Sequence, residues 1–177
     1  MDSYRDLLNS RGERAATLDA VAHAAGVSKG GLIYHFPSKE ALTTGLCNRF
    51  DALLDEDVQA MRTSPEGAAH YFVKSSVFTN SELDQHMTAL TRLNEARQPR
   101  AQASLRRASE MWLQVLEEQI PDPAVARAVK LMGDGLYYQA IFADWEPEAD
   151  SPTAEEKLLE VVDRLTEGWA SGPAEDR

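Results

Sequence analysis

Apolar residues recur at spacings of three and four along this chain and nowhere alternate for long. That is the 3.6-residue period of a helix, and it argues against half-buried strands, whose period is two. Capping residues cut the pattern into segments. Thr17 precedes Leu18, Val21 and Ala22 on one face. Ser28 opens a short segment and Ser38 a long one that reaches about Arg62. Ser64–Pro65 opens the next, with proline at the first helical position. Ser81 and Pro99 open two more, the second running to about Ile120. Asp122–Pro123 opens a segment to about Trp145, and Thr153 with Glu156 has the capping-box pattern for the last. With a short helix around Tyr4–Asn9, the reading is all-α with about nine helices. Residues 1–44 form a small three-helix headpiece and 45–177 a larger helical body. The tail "SGPAEDR" is expected to fray.

Several function classes drop out. No apolar run reaches the roughly 18 residues that a membrane helix needs, and the N-terminus lacks the apolar core of a signal peptide. Cys47 is the one cysteine, so there is no internal disulfide framework and a cytoplasmic location is expected. Without cysteine pairs or clustered histidines no zinc site is expected. No nucleophile elbow or phosphate loop is visible, so neither an enzyme nor a cofactor is expected. The net charge of −11 argues against a polyanionic partner, but it is unevenly spread. Residues 1–49 hold six Lys and Arg against five Asp and Glu, a balance of +1, whereas 50–177 hold twelve against twenty-four, a balance of −12. Only the N-terminal quarter could tolerate DNA.

Within that quarter, Thr17 to Phe36 reads as two short helices around the tight turn "AAGV". Gly26 is free to take the positive φ that a sharp reversal often needs. This is helix-turn-helix spacing, in which the second helix enters the major groove. Gly30 and Gly31 cost roughly 1 kcal/mol each in a helix, and they let the backbone approach phosphate and sugar. Lys29, Tyr34 and His35 point outward as donors, while Leu32, Ile33 and Phe36 hold the helix to the headpiece core. Pro37 ends it. Ser38 exposes a second helix N-terminus, able to bind phosphate, with Lys39 beside it. The same spacing also suits a plain three-helix core whose polar residues are merely solvated.

The residues themselves narrow the choice. "TLDAVAHAAGVSKGGLIYHFPSKEAL" resembles the DNA-binding headpiece of the TetR repressor family over Ala16–Leu42, with "AGVSKG", "YHF" and "SKEAL" in the family's order and spacing. The resemblance implies a three-helix DNA headpiece followed by a helical ligand-binding and dimerisation domain. It further implies that Thr17, Ser28, Tyr34 and Lys39 contact phosphates, and that Lys29, Gly30, Gly31 and His35 lie at or near base edges. Two features depart from the family pattern. The first helix is shorter than usual, and Glu13 stands where a large apolar residue is common.

Past residue 45 the likeness is one of pattern only. Val125, Val129, Met132 and Leu136 form an apolar stripe on the eighth helix; Leu158, Val162, Leu165 and Trp169 form one on the ninth. The resemblance implies that these two helices pair with their copies in a homodimer; the other reading is an intramolecular core. Phe72, Met87, Met111, Trp112, Tyr137, Tyr138, Phe142 and Trp145 are either plain core or the lining of an adaptable apolar cavity. Asp134, between Gly133 and Gly135, is either a hydrogen-bonded interface acid or a ligand anchor, with Glu95 a weaker candidate. Aromatic faces near a carboxylate favour a lipophilic cation; an anion would need a base such as Arg106 or Arg107. His23, His70 and His86 are read as structural or exposed, and Cys47 as a small buried hydrophobe. The expected function is a ligand-responsive repressor of double-stranded operator DNA, released by a small lipophilic effector. The alternative is an architectural DNA-binding protein with no effector.

Overall fold

The computed structural model describes residues 1–142 and 154–170, with side chains placed for 1–141 and 156–167. Among the described residues there are nine α-helices and no strand. They are α1 Asp2–Arg11, α2 Leu18–Ala24, α3 Lys29–His35, α4 Lys39–Thr63, α5 Ala68–Ser75, α6 Glu82–Glu95, α7 Pro99–Gln119, α8 Pro123–Phe142 and α9 Ala154–Ala170.

The starts follow the capping chemistry in most places. Thr17 Oγ1 accepts from Ala20 N at 3.2 Å, Ser28 Oγ from Gly31 N at 3.0 Å and Ser38 Oγ from Ala41 N at 3.1 Å. Ser81 and Asp84 form a complete capping box at α6. Such caps satisfy amide donors that have no partner inside the helix. The fifth helix departs from expectation. Ser64–Pro65 lies in a turn, and α5 begins only at Ala68, after Gly67 at φ 85°. The Ala68 amide donates instead to Gln119 Oε1 at 2.8 Å, so a side chain from α7 supplies the missing partner. The expected Thr153–Glu156 capping box and Trp145 involve residues outside those described.

Packing groups the chain into two compact units, and the expected headpiece, residues 1–44, lies wholly within the first. One compact unit joins residues 1–56 with 80–109, and the other joins 57–79 with 110–177. In the first, α1 turns Tyr4, Leu7 and Leu8 inward against α6 and α2. Tyr4 Oη and Thr43 Oγ1 share a buried hydrogen bond of 2.9 Å, which ties α1 to α4. Asn9 Nδ2 donates to Gln85 O at 3.0 Å and ties it to α6. The α4 stripe of Leu42, Leu46, Cys47, Phe50 and Leu54 is buried. Each such side chain contributes about 1.5–3 kcal/mol by leaving water. Cys47 is fully buried, as expected of a small hydrophobe, and burial raises its thiol pKa.

In the second unit α5 packs on α8 and α9. Val58 and Met61 of α4, Phe72 and Val73 of α5, Val115 and Leu116 of α7 and Val129 of α8 are buried. Gly133 is required by closeness: a Cβ there would stand 2.4 Å from a ring carbon of Phe72 and 2.6 Å from Ser76 Oγ.

Candidate functional site

The turn between α2 and α3 closes as its residues require. Gly26 takes φ 67°, and the Val27 amide donates to Ala22 O at 3.0 Å. The seven-residue helix α3 then rests on a single buried side chain, Leu32. Lys29, Gly30, Gly31, Tyr34 and His35 are all exposed, Tyr34 at 85%. Ile33 does not join the core as expected; it is 37% exposed. Two turns of helix bury only a narrow arc, and Leu32 and the half-buried Phe36 fill it. Apart from its chain neighbours and the backbone of its own helix, no described atom lies within 4 Å of a Cβ placed at Gly30, so the backbone there is open to a partner. A Cβ at Gly31 would meet the capping Ser28 Oγ at 3.2 Å. Tyr34 and His35 stack edge to face at 5.1 Å, which limits their freedom.

The candidate phosphate donors come from three successive helix starts. Thr17, Ser28 and Ser38 use their oxygens as cap acceptors, which leaves each hydroxyl hydrogen to donate. The two lysines are engaged within the chain. Lys29 Nζ lies 2.9 Å from Asp19 Oδ2. Lys39 Nζ donates to Glu13 O at 2.6 Å and lies 2.7 Å from Glu13 Oε1. The unusual Glu13 is thus the partner of Lys39.

In the second unit Phe72 and Trp112 lie 6.0 Å apart, ring centre to ring centre. Asp57 fixes Trp112, accepting from its Nε1 at 2.8 Å, and also accepts from Tyr71 Oη at 2.9 Å. Burial first, and then the Asp57 charge, push the Tyr71 hydroxyl up to about 12. Beside the Phe72 and Trp112 pair lies a buried cation, Lys130. It is 5% exposed, and its ammonium lies 5.3 Å from the Phe72 ring centre and 5.8 Å from that of Trp112. Asp134, one turn on, pairs with it at 2.5 and 2.6 Å. The acid expected as a ligand anchor therefore already holds a cation. Lys130 shares the arc of α8 that carries Ala126, Val129 and Gly133, but its burial depends on Phe72 and Trp112, which are distant in the chain.

Other candidates fall elsewhere. Tyr137 is half-buried, 6.2 Å from Phe78. Tyr138 is 64% exposed, so it stands outside rather than lining a cavity. Met111 is half-buried. Met87 and Glu95 belong to the first unit, as do Arg106 and Arg107; Glu95 is exposed, and Arg107 pairs with Asp55 at 2.5 Å. The side chain of Phe142 lies outside those described. His23 is exposed, His70 Nε2 lies 2.6 Å from Asp163 Oδ1, and His86 is buried. Among the described residues there is no cluster able to hold a metal ion and no helix long and apolar enough to cross a membrane.

The expected dimer stripe is partly buried within the single chain. Val129 and Val162 have no exposed surface, and Leu136 retains 8%. All three pack within the single chain, so they have almost no area left to give a partner. Val125, Met132, Leu158 and Leu165 are half-buried, and the Trp169 side chain is outside those described. The face of α8 left open carries Leu131, 65% exposed, and Tyr138, with Ala124 and Gly135 on the same arc. The apolar side of α8 is broad, and α5 and α9 pack on it, so that Val129 and Leu136, which the family resemblance gave to a partner, lie in the chain's own core.

A helix-turn-helix with an outward second helix, joined to a larger helical body, defines a DNA-binding regulator of transcription. Residues 2–44 match the profile of bacterial regulatory proteins of the tetR family, and residues 66–168 match the tetracyclin-repressor-like C-terminal domain. The chain belongs to the TetR family. Proteins of this family are DNA-binding regulators rather than enzymes. No curated protein matches the chain.

Solved structures share the fold. The multidrug-binding protein EbrR complexed with malachite green is 21% identical, with 93% of this chain and 94% of that one covered and a TM-score of 0.69. The TetR-family regulator PfmR from Thermus thermophilus is 19% identical over 99% and 95%, with a TM-score of 0.64. The transcriptional regulator SCO7518 from Streptomyces coelicolor A3(2) is 23% identical over 93% and 94%, with a TM-score of 0.61.

Proposed function

We propose that the chain is a homodimeric cytoplasmic repressor that leaves its operator when a small lipophilic molecule enters the body. The observation that carries the DNA half of this reading is α3. A helix held by one buried leucine, with Lys29, Tyr34 and His35 outside, leaves most of its surface to a partner. In the major groove its N-terminal turn would meet base edges, with the hydroxyls of Thr17, Ser28 and Ser38 on the backbone phosphates. A two-fold dimer suits half-sites about 34–36 Å apart.

The effector half rests on the aromatic pair Phe72 and Trp112 and on the C-terminal domain match. EbrR, with its bound malachite green, supports a lipophilic ligand. A cation would have to take the place of the Lys130 ammonium over those two rings. Ligand binding would bias one of two arrangements of α4, whose residues enter both compact units, and so change the presentation of the headpieces to DNA.

Tyr34→Ala tests the DNA half. It should weaken binding to all duplexes alike, because phosphate contacts position without specifying. Gel shifts across a salt series that show unchanged affinity and salt dependence would remove α3 from the interface. A thermal-shift series of ethidium, malachite green, acyl-CoAs and antibiotics tests the effector half. A flat series, with DNA binding intact, returns the chain to an architectural role.

A further inference from the structure

The DNA-binding reading above has Lys39 at a phosphate, yet Lys39 is not free. Its ammonium has three donors, and two of them are committed to the carbonyl and the carboxylate of Glu13, at 2.6 and 2.7 Å. Glu13 is brought there by backbone geometry. Gly12 ends α1 at φ 77°, with its amide on Leu8 O at 3.0 Å, and the Ala16 amide then closes a tight turn on Glu13 O at 3.3 Å. Both side chains of the pair are at least two-thirds covered, so water screens it less than a fully exposed pair.

We infer that Glu13 is a built-in counterion for Lys39, which a DNA phosphate must displace, and that it sets the strength and salt dependence of DNA binding. An ammonium already neutralised by a carboxylate displaces fewer condensed counterions from the DNA, and it also brings an anion towards the phosphate. A displaced Glu13 has somewhere to go. It lines an open cleft of about 560 Å³ together with Arg11 and Arg14, and with Arg92, which is paired with Glu95 at 3.5 Å. Arg11 and Arg14 are exposed, so the carboxylate can turn from Lys39 towards them while the third Lys39 donor reaches the phosphate. The inference rests on the proposed DNA contact of α3 and of the start of α4. It adds a residue, Glu13, that touches no DNA itself and acts through Lys39.

The test uses the full chain and a random-sequence 30-base-pair duplex, titrated by fluorescence anisotropy at several salt concentrations. Glu13→Gln should bind about fivefold tighter at low salt, the worth of roughly one partly screened charge. The slope of log affinity against log salt should steepen by up to about one per headpiece. Glu13→Leu, which places an apolar residue in the same turn, should give the same gain, so a misfolded Gln variant does not decide the matter. In a Lys39→Met background, Glu13→Gln should change affinity by less than twofold. Unchanged or weaker binding in both folded Glu13 variants would overturn the inference and leave the DNA-binding reading intact. So would an equal gain with and without Lys39. Failure of every form, wild type included, to bind the duplex at low salt would overturn that reading and the inference with it.

Discussion

Lys130 shows how one residue can reverse the expected behaviour of its neighbour. Its ammonium is covered by Phe72 and Trp112 and neutralised by Asp134, whose own side chain is 47% exposed. Asp134→Asn should therefore leave a covered cation without its counter-charge. The destabilisation should be about 1–2 kcal/mol, less than for a fully buried pair because water reaches the Asp134 side. Lys130→Met should be neutral or stabilising, since it replaces a charge by an apolar chain of similar length among aromatic rings. Urea unfolding of the two variants measures both. Equal losses would mean that the lysine is held by something other than Asp134. The adjacent Gly133 has its own constraint, since α5 leaves no room there for a methyl group.

At the scale of elements, the α1–α6 packing carries a titratable group. His86 is 1% exposed, and its Nδ1 donates to Glu82 O at 2.7 Å. Its Nε2 has no hydrogen-bond partner among the described residues. Burial first, and then the charges of Arg5 on α1 and Arg49 on α4, hold its pKa below the usual 6.5; the Glu82 carbonyl and charge oppose them. The folded state thus binds the proton more weakly than the unfolded chain. The contribution is complete above about pH 6.5 and is lost as pH falls below it. Thermal melts from pH 7.5 to 5 should show a falling midpoint in the wild type and a smaller fall in His86→Gln. Parallel falls would place the acid sensitivity in the carboxylates instead. Because α1 packs on α2, and α2 on α3, this loosening acts on an element that supports the helix-turn-helix.

At the scale of the whole molecule, α8 offers a surface for a second copy. The exposed arc of α8 holds Leu131 and Tyr138, large apolar groups that a soluble protein tends to cover when they fall together. Leu131→Asp with Tyr138→Asp should give a monomer in sedimentation velocity with its melting temperature little changed, because both side chains are exposed in the single chain. Val162→Asp should instead unfold the second unit, because Val162 has no exposed surface and the new charge would be buried without a partner. A wild type that sediments as a monomer at micromolar concentration would remove the α8 face from the dimer.

The all-α class, the helix starts at Thr17, Ser28, Ser38 and Ser81, the positive φ at Gly26 and the outward residues of α3 were all legible in the sequence. Each depends on neighbours within a few positions, where capping and steric rules act. The family resemblance of the headpiece was legible for the same reason, since it lies in one continuous segment. What only the tertiary structure decided involves partners far apart in the chain. Periodicity shows that α8 has an apolar side, but not which arc α5 and α9 cover; Val129 and Leu136 therefore turned inward while Leu131 and Tyr138 stayed out. Asp134 was visible as an acid among apolar residues, yet its partner was hidden because Lys130 reads as an ordinary solvated lysine until Phe72 and Trp112 close over it. Glu13 was visible only as an oddity. The turn at Gly12 brings it to Lys39, 26 positions away in the chain, and a pairing at that distance depends on how α1 and α4 pack, which no local rule encodes.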